Sequence, residues 1–233
     1  MYEAVRVSPT GPTTPDRFAL TVGRAGFDGL VVIGDQSDLP QVDAATLTDR
    51  HGIDVALGVE IDVDSKAAAS GAIGNWRPKA TVLTLRGGSP ELNRFAVESP
   101  RVDVLAAPLA GDGDVNHVMA RAAADNGVAV EVDLSRVLRT SGGTRVRAIA
   151  GLRKLQDLLE NADAPFVVTA GARSHLQVRG PRELIAVGQQ IGFSRAEIEA
   201  GLNRWGEIVE RTRARRDPDA VAPGIHVEDR DDT

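Results

Sequence analysis

Short apolar runs alternate with amphipathic segments along most of the chain, and this alternation restricts the fold more than any other feature. Runs of four to eight residues rich in β-branched side chains predict buried strands. The predicted strands are 3–7, 29–34, 55–61, 80–86, 102–106, 128–133 and 166–170. The predicted helices are 14–25, 40–50, 89–98, 115–125, 144–161 and 181–190, with 64–78 ambiguous. Repeated βα units of this kind build a parallel sheet covered by helices.

Either a closed barrel or an open, doubly wound sheet could be built from such units. The chain after the first strand reads Ser8-Pro9-Thr10-Gly11-Pro12, which lacks the glycine fingerprint of dinucleotide-binding open sheets. The sequence therefore favours an α/β fold of the TIM-like (β/α) barrel type. Functional residues of such barrels lie just past the carboxyl ends of the strands.

The end of the chain predicts one more helix and then a tail. Ser194 and Glu197 form a capping-box pattern, and Trp205 lies on the apolar side of the helix that follows. From Asp217 the composition turns to Pro, Ala, Asp and Glu, which bury little apolar surface. We therefore predict a single barrel domain over residues 1–212 and a disordered acidic tail over 213–233, and we expect the residues from Asp217 onward to be dispensable.

Composition excludes several classes of protein. The chain contains no cysteine, which excludes disulfides, thiol nucleophiles and thiolate metal sites and favours a cytoplasmic protein. It also lacks a run of eighteen apolar residues, so no membrane association is expected. Only three of its 27 basic residues are lysine, and the net charge is −6. An acidic, lysine-poor surface indicates a salt-adapted organism, and any nucleic-acid binding must come from a local arginine patch.

Arginines gather after the later predicted strands, whereas carboxylates follow the early ones. The stretch from Gly127 to Leu155 reads as a strand, a basic loop and a long helix. The arginines of the later rim are Arg86, Arg94, Arg136, Arg139, Arg145, Arg147, Arg173 and Arg179. Their planar donor groups match phosphate oxygens. Because only 3% of the residues are aromatic, the pattern favours the backbone of a folded RNA over stacked single-stranded bases.

Two enzyme functions remain as alternatives. Glu60, Asp62 and Asp64 could bind a divalent metal with the scattered histidines, as in a metal-dependent phosphoesterase. A sugar-phosphate barrel enzyme would hold phosphate near Gly171-Ala172. Neither alternative accounts for the arginine-rich rim.

Several short motifs together resemble a known family. They are, in order, Gly87-Gly88 with Asn93-Arg94, the stretch 115–127 with His117, the stretch 169–172, the stretch 178–184 with Arg179-Gly180-Pro181, and the stretch 191–194. Over roughly residues 54–212 the chain resembles the Rpp30-like family, protein component 3 of archaeal ribonuclease P. Arg179-Gly180-Pro181 before a helix is the most specific of these motifs.

The resemblance implies a TIM-like barrel related to the polymerase-and-histidinol-phosphatase (PHP) metallohydrolases but without their metal site. It implies a protein subunit of ribonuclease P, an endoribonuclease whose RNA carries the chemistry with Mg²⁺ and removes the 5′ leader of precursor tRNA. The expected partners are the ribonuclease P RNA, a Pop5-like subunit, other ribonuclease P proteins and precursor tRNA. The chain itself is expected to carry no catalytic residue, metal ligand or cofactor. The residues expected to bind RNA are Arg86, Asn93, Arg94, Arg139, Arg145, Arg147, Arg173 and Arg179.

Overall fold

Seven parallel strands form one sheet whose neighbours follow the order of the chain, from β1 to β7. A computed structural model describes residues 1–37 and 42–216. The strands are β1 Tyr2–Val7, β2 Gly29–Asp35, β3 Asp54–Ile61, β4 Val82–Arg86, β5 Val104–Ala106, β6 Ala129–Asp133 and β7 Phe166–Thr169. All seven predicted strands are confirmed, with their ends shifted by about two residues at most, within the usual uncertainty of such boundaries.

Helices follow most strands, and their starts agree with the capping signals of the sequence. In the described residues they are α1 Pro15–Arg24, α2 Ala44–His51, α3 Lys66–Trp76, α4 Pro90–Val97, α5 His117–Asn126, α6 Ser135–Arg139, α7 Gly142–Ala162, α8 Pro181–Ile191 and α9 Arg195–Arg216. Thr14 caps α1, and Ser194 and Glu197 form the predicted capping box of α9. The ambiguous segment 64–78 contains α3.

The prediction of a basic loop after β6 is wrong, because most of this segment is helical. Arg136 and Arg139 lie on α6, and Arg145 and Arg147 lie in the first turns of α7. Asp133 stabilises the start of α6. Its carboxylate accepts hydrogen bonds from the backbone N–H of Ser135 at 2.7 Å and from the Ser135 hydroxyl at 2.9 Å. Helical backbone fixes the directions of these arginines more firmly than a loop would.

The barrel is nearly closed between β7 and β1. A single bridge joins Val5 to Ala172, with the N–H of Arg6 donating to the carbonyl of Ala172 at 3.0 Å. Beside this bridge the buried Glu3 carboxylate accepts from the Thr169 hydroxyl at 2.5 Å and from the Ala170 N–H at 3.2 Å. Burial raises the pKa of Glu3 to about 7, because it disfavours the ionised form. A side chain thus replaces part of the missing ladder between these strands.

A small apolar core fills the barrel interior at the amino ends of the strands. It is formed by Ala4, Val31, Ile33, Ala56, Val82, Val104, Ala129 and Val167 together with Trp205, Ile208 and Val209 of α9. Trp205 is fully buried, and its indole N–H donates to the carbonyl of Val168 at 2.9 Å. The predicted position of Trp205 on the apolar side of this helix is confirmed, and α9 covers the amino ends of the strands.

The basic end of α9 belongs to this closure. Arg213 donates to both carboxylate oxygens of Asp54, at 2.8 and 3.0 Å, and Arg211 pairs with Asp103 at 3.0 Å. The domain boundary predicted after residue 212 therefore falls inside α9, which continues to Arg216 because these contacts hold its last turn. The tail predicted from Asp217 onward lies outside the described residues. None of the described helices is long and apolar enough to cross a membrane.

Candidate functional site at the barrel mouth

A cavity of about 610 Å³ opens at the carboxyl ends of the strands, the end of a (β/α) barrel that usually carries function. Its charged lining consists of Arg6, Arg86, Glu131, Asp133, Arg136, Arg139, Arg147 and Arg173. Leu109, Ala148 and Leu152 form an apolar wall on one side. The predicted arginine-rich rim is thus a concave site with positive charge in excess.

The floor of this cavity is a buried ion-pair network centred on Arg6. Its Nε donates to Glu60 Oε2 at 2.8 Å, and its Nη2 donates to Glu131 Oε1 at 2.8 Å. Arg6 retains only 8% of its side-chain exposure, Glu60 10% and Glu131 none. The second Glu131 oxygen accepts from the N–H of Ala107 at 2.8 Å, so both of its oxygens are occupied by donors from the chain.

The electrostatics of the network keep Arg6 charged. Burial alone would lower the pKa of Arg6, but Glu131 and Glu60 raise it well above its usual value. Burial would also raise the pKa of Glu60, yet Arg6 and then Arg86 hold it below its usual range. For Glu131 burial prevails, and its pKa is raised.

Three arginines on the walls bind neither a carboxylate nor a backbone carbonyl among the described residues. The side chains of Arg136 and Arg173 form neither an ion pair nor a hydrogen bond within 1–37 and 42–216, and both are exposed. Arg147 donates only to the Thr144 hydroxyl, at 3.4 Å. Arg136 was predicted to lie on the later rim, three residues past β6, but it was not included in the predicted set of RNA-binding residues. These three charges are free to bind an external anion.

Other predicted arginines are occupied by the protein. Arg139 donates to the carbonyls of Ala170 and Gly171 at 2.8 and 2.7 Å. Burial lowers its pKa, and the nearby charges of Arg179 and Arg173 lower it further. Arg179 donates to the carbonyl of Val178 at 2.8 Å and lies 4.0 Å from Glu183. Arg86 lies 3.4 Å from Glu60 and 3.5 Å from Asp62. Arg86 and Arg139 line the cavity and add positive charge to it, whereas Arg179 lies outside its lining.

Asn93 differs from its prediction, because its side chain is fully buried. Its amide donates to the carbonyls of Pro108 and Asp114, at 2.8 and 2.9 Å, and its oxygen accepts from the N–H of Gly88 at 3.1 Å. A Cβ added at Gly87 would lie 2.0 Å from this oxygen, which explains why glycine stands there. Asn93 joins two loops of the rim and leaves no surface for an RNA phosphate.

Arg94 and Arg145 lie apart from the cavity lining. Arg94 is exposed on α4 and pairs with Glu98 at 2.7 Å, a geometry common on helix surfaces. Arg145 is exposed on α7, two residues before Arg147. The structure therefore brings together Arg86, Arg139, Arg147 and Arg173 of the predicted set and adds Arg6 and Arg136.

The two alternative enzyme sites do not fit the geometry. In the described part of the chain, no group of three or more histidine, aspartate or glutamate side chains could hold a metal ion. Glu60 binds Arg6 instead, and His175 lies 3.0 Å from the Thr13 hydroxyl. At the proposed sugar-phosphate site the N–H of Gly171 donates to the Thr169 hydroxyl at 2.9 Å, so it is not available to a phosphate.

Comparison with known proteins gives a consistent result. The family model described as RNase P subunit p30 matches residues 1–217. "Ribonuclease P protein component 3" of Haloarcula marismortui is 52% identical over 229 residues, which cover 98% of this chain and 97% of that protein. This relative comes from a halophilic archaeon, in agreement with the predicted salt adaptation.

Solved structures confirm the predicted fold. A chain in the cryo-EM structure of archaeal ribonuclease P with mature tRNA matches with a TM-score of 0.84 at 21% identity, covering 100% of both chains. The histidinol phosphate phosphatase of Lactococcus lactis, complexed with zinc, histidinol and phosphate, matches with a TM-score of 0.55 at 12% identity, covering 82% of this chain and 94% of that one. The chain therefore has the predicted PHP-like, TIM-like barrel.

Proposed function

Since the chain belongs to the RNase P subunit p30 family and is a protein subunit of ribonuclease P, we propose that its arginine-lined barrel mouth binds phosphates of the enzyme's RNA. The observation that carries this proposal is the set of three wall arginines, Arg136, Arg147 and Arg173, without acidic partners among the described residues. By contrast, Arg211 and Arg213 at the opposite end of the barrel pair with Asp103 and Asp54. Three free guanidinium groups that line one cavity make the mouth the anion-binding face in this proposal.

The chain supports ribonuclease P, a tRNA-processing enzyme, without performing the cleavage itself. Arg6 lies between Glu60 and Glu131, where a metallohydrolase would need free carboxylates, so the proposed role is to bind and position RNA. In this proposal the RNA, with its own Mg²⁺, removes the 5′ leader of precursor tRNA. A Pop5-like subunit and the other ribonuclease P proteins are the proposed protein partners. A fold shared with a chain from a tRNA-bound ribonuclease P supports this assignment.

Direct contacts are required because the molecule as a whole is acidic, with a net charge of −6. In a cytoplasm of about 1 M salt, charges attract each other over a Debye length of only about 3 Å. Bidentate hydrogen bonds from arginine withstand such screening better than long-range attraction, because donor and acceptor are in contact. The mouth should therefore bind RNA by a few close arginine–phosphate contacts.

The test compares two double variants that remove the same charge. Arg136→Gln/Arg173→Gln removes two free arginines of the mouth. Arg101→Gln/Arg215→Gln removes two exposed arginines at the opposite end of the barrel, one before β5 and the other in the last turn of α9. Both proteins are assembled with the ribonuclease P RNA and its protein partners, and affinity and cleavage are measured over a range of salt concentrations.

We expect the mouth variant to bind RNA at least about tenfold more weakly, because each charged hydrogen bond that it removes is worth about 1.5–3 kcal/mol. The slope of log affinity against log salt should fall by about 0.7–0.9 for each phosphate that the variant no longer neutralises. The control variant should assemble normally, and both should melt as the unmodified chain does. Equal affinity and equal slope for the two variants would show that the mouth does not bind RNA.

A further inference from the structure

We propose that the cavity at the barrel mouth holds one terminal phosphate group of a nucleotide, with its nucleoside against the apolar wall. The nucleotide is either a free mononucleotide or the phosphorylated end of an RNA, since both present the same phosphomonoester. If the ligand is the phosphorylated end of an RNA, the site rests on the proposed RNA binding. If the ligand is a free mononucleotide, the site is independent of that function. Contacts between rim arginines and the RNA backbone need no deep cavity. A buried unused donor, an excess of arginine and an apolar wall are instead features of a small-molecule site.

The first feature is the unused donor of Arg6 on the cavity floor. Arg6 is more than nine-tenths buried, and its Nε and Nη2 donate to Glu60 and Glu131. Its third nitrogen, Nη1, has no hydrogen-bond partner within the described residues, and Arg6 lines the cavity. A buried guanidinium normally has its donors paired. This nitrogen is a fixed donor, held in place by two carboxylates, for an anion that enters the mouth.

The second feature is the charge around that donor. The cavity is lined by six arginines and two carboxylates, and Glu60 beneath them is paired with Arg6. Arg173 and Arg139 both line this cavity with Arg6, so several positive charges surround the unused donor. A phosphomonoester carries about −1.5 to −2 charges at neutral pH, more than the single charge of a phosphate within an RNA strand. The excess of arginine favours the more highly charged group.

The carboxylates of the mouth reduce its positive charge but do not cancel it, because six arginines and only two carboxylates line the cavity. Glu131 accepts from Arg6 and from the N–H of Ala107. Asp133 accepts from the N–H and the hydroxyl of Ser135. Donors from the chain therefore occupy these acceptors, and the free donors of the arginines remain for the ligand.

The shape of the cavity selects a terminal phosphate. Arg6 lies on β1 inside the barrel, below the rim arginines of α6 and α7. A phosphate within a strand carries nucleosides on both sides and stays at the rim, whereas a terminal phosphate can reach the floor. The cavity volume of about 610 Å³ falls within the usual range for small-molecule sites. Its apolar wall offers contact surface for the rest of the nucleotide.

Calorimetric titration of the whole folded chain tests the site at constant ionic strength. Adenosine 5′-monophosphate should bind at one site, and adenosine should bind at least about tenfold more weakly, because it lacks the charged hydrogen bonds. Arg173→Gln should weaken the binding of the monophosphate about tenfold or more, and the matched control Arg101→Gln should leave it unchanged. Ala148→Phe fills the apolar wall without changing charge and should also abolish this binding.

A second arm distinguishes the two sources of the phosphate. Oligoribonucleotides of one sequence are compared with a 5′-phosphate and with a 5′-hydroxyl. Tighter binding of the phosphorylated form, abolished in Ala148→Phe, assigns the site to an RNA end. Monophosphate binding without that preference assigns it to a free nucleotide.

Two results overturn the site. One is the absence of monophosphate binding at millimolar concentration together with equal binding of the 5′-phosphate and 5′-hydroxyl oligonucleotides, and the other is binding that neither Arg173→Gln nor Ala148→Phe changes. If RNA nevertheless binds in a manner that depends on Arg136 and Arg173, only the site fails and the proposed function stands. If no RNA binds in any form while the monophosphate does, the proposed function fails and the site stands.

Discussion

Replacing Arg6 with methionine should destabilise the fold strongly, because it leaves two carboxylates without their cation. Arg6 donates to Glu60 and Glu131 at 2.8 Å each, and these side chains are 10% and 0% exposed. Removing one member of a buried ion-pair network costs about 3–5 kcal/mol. For a domain of this size that cost corresponds to a melting temperature lower by about 6–20 °C.

The dependence on pH separates this effect from a simple loss of packing. In the unmodified protein Arg6 lowers the pKa of Glu60, so this stabilisation is present above the usual carboxyl pKa and is lost as the pH falls through the folded value. In Arg6→Met both carboxylates should bind protons more tightly than in the unfolded chain. The variant should therefore recover stability as the pH falls from about 7.5 to about 5.

Urea unfolding followed by circular dichroism at both pH values and constant salt measures the effect. The triple variant Arg6→Met/Glu60→Gln/Glu131→Gln is the matched control, because it removes the charges together with the cation. It should regain much of the stability at neutral pH, since neutral side chains need no cation. A decrease below about 1 kcal/mol in Arg6→Met, equal at both pH values, would refute the reasoning, because it would mean that the carboxylates are solvated.

Two further predictions concern buried polar side chains elsewhere. Because the pKa of Glu3 is raised to about 7 from 4.5, its contribution to stability is full below about pH 4.5 and is lost as the pH rises to about 7. Glu3→Gln should remove that slope, about 3 kcal/mol in total. Asn93→Ala should cost about 2–4 kcal/mol in thermal unfolding, because it breaks the three hydrogen bonds of a fully buried side chain. Unchanged melting with weaker RNA binding would instead show that Asn93 contacts RNA.

The strands could be predicted from the sequence because strands in a helix-covered parallel sheet are buried on both faces and read as apolar runs. Helix starts were equally visible where caps are local, as at Thr14 and Ser194. Helix α3 was ambiguous because its alanines, glycines and serine give no clear apolar stripe, and only Ala69 and Ile73 are buried. Local signals were sufficient for elements that local interactions define.

The site was predictable only in part, for a similar reason. Arginines just past a strand end reach the mouth in any barrel, so Arg86, Arg139 and Arg173 could be expected there. The network of Arg6 depends on strand register, which joins it to residues 54 and 125 positions away. Asn93 follows a strand and looks exposed in the sequence, but it is buried by a loop that comes later in the chain. Contacts between distant segments decided these roles, and no local pattern records them.

The barrel can close only after β7 and α9, the last described strand and helix, have been synthesised. Glu3 on β1 bonds to Thr169 across 166 residues, and Arg213 on α9 bonds to Asp54 across 159. A nascent chain can form its early βα units on the ribosome. One edge of β1 stays unpaired until β7 has been synthesised. The small apolar core is complete only when Trp205 of α9 packs into it. Contacts between residues so far apart in the sequence slow folding. An unpaired strand edge is also prone to association with other chains. Until β7 has been synthesised, the chain is therefore prone to association with other chains through the unpaired edge of β1.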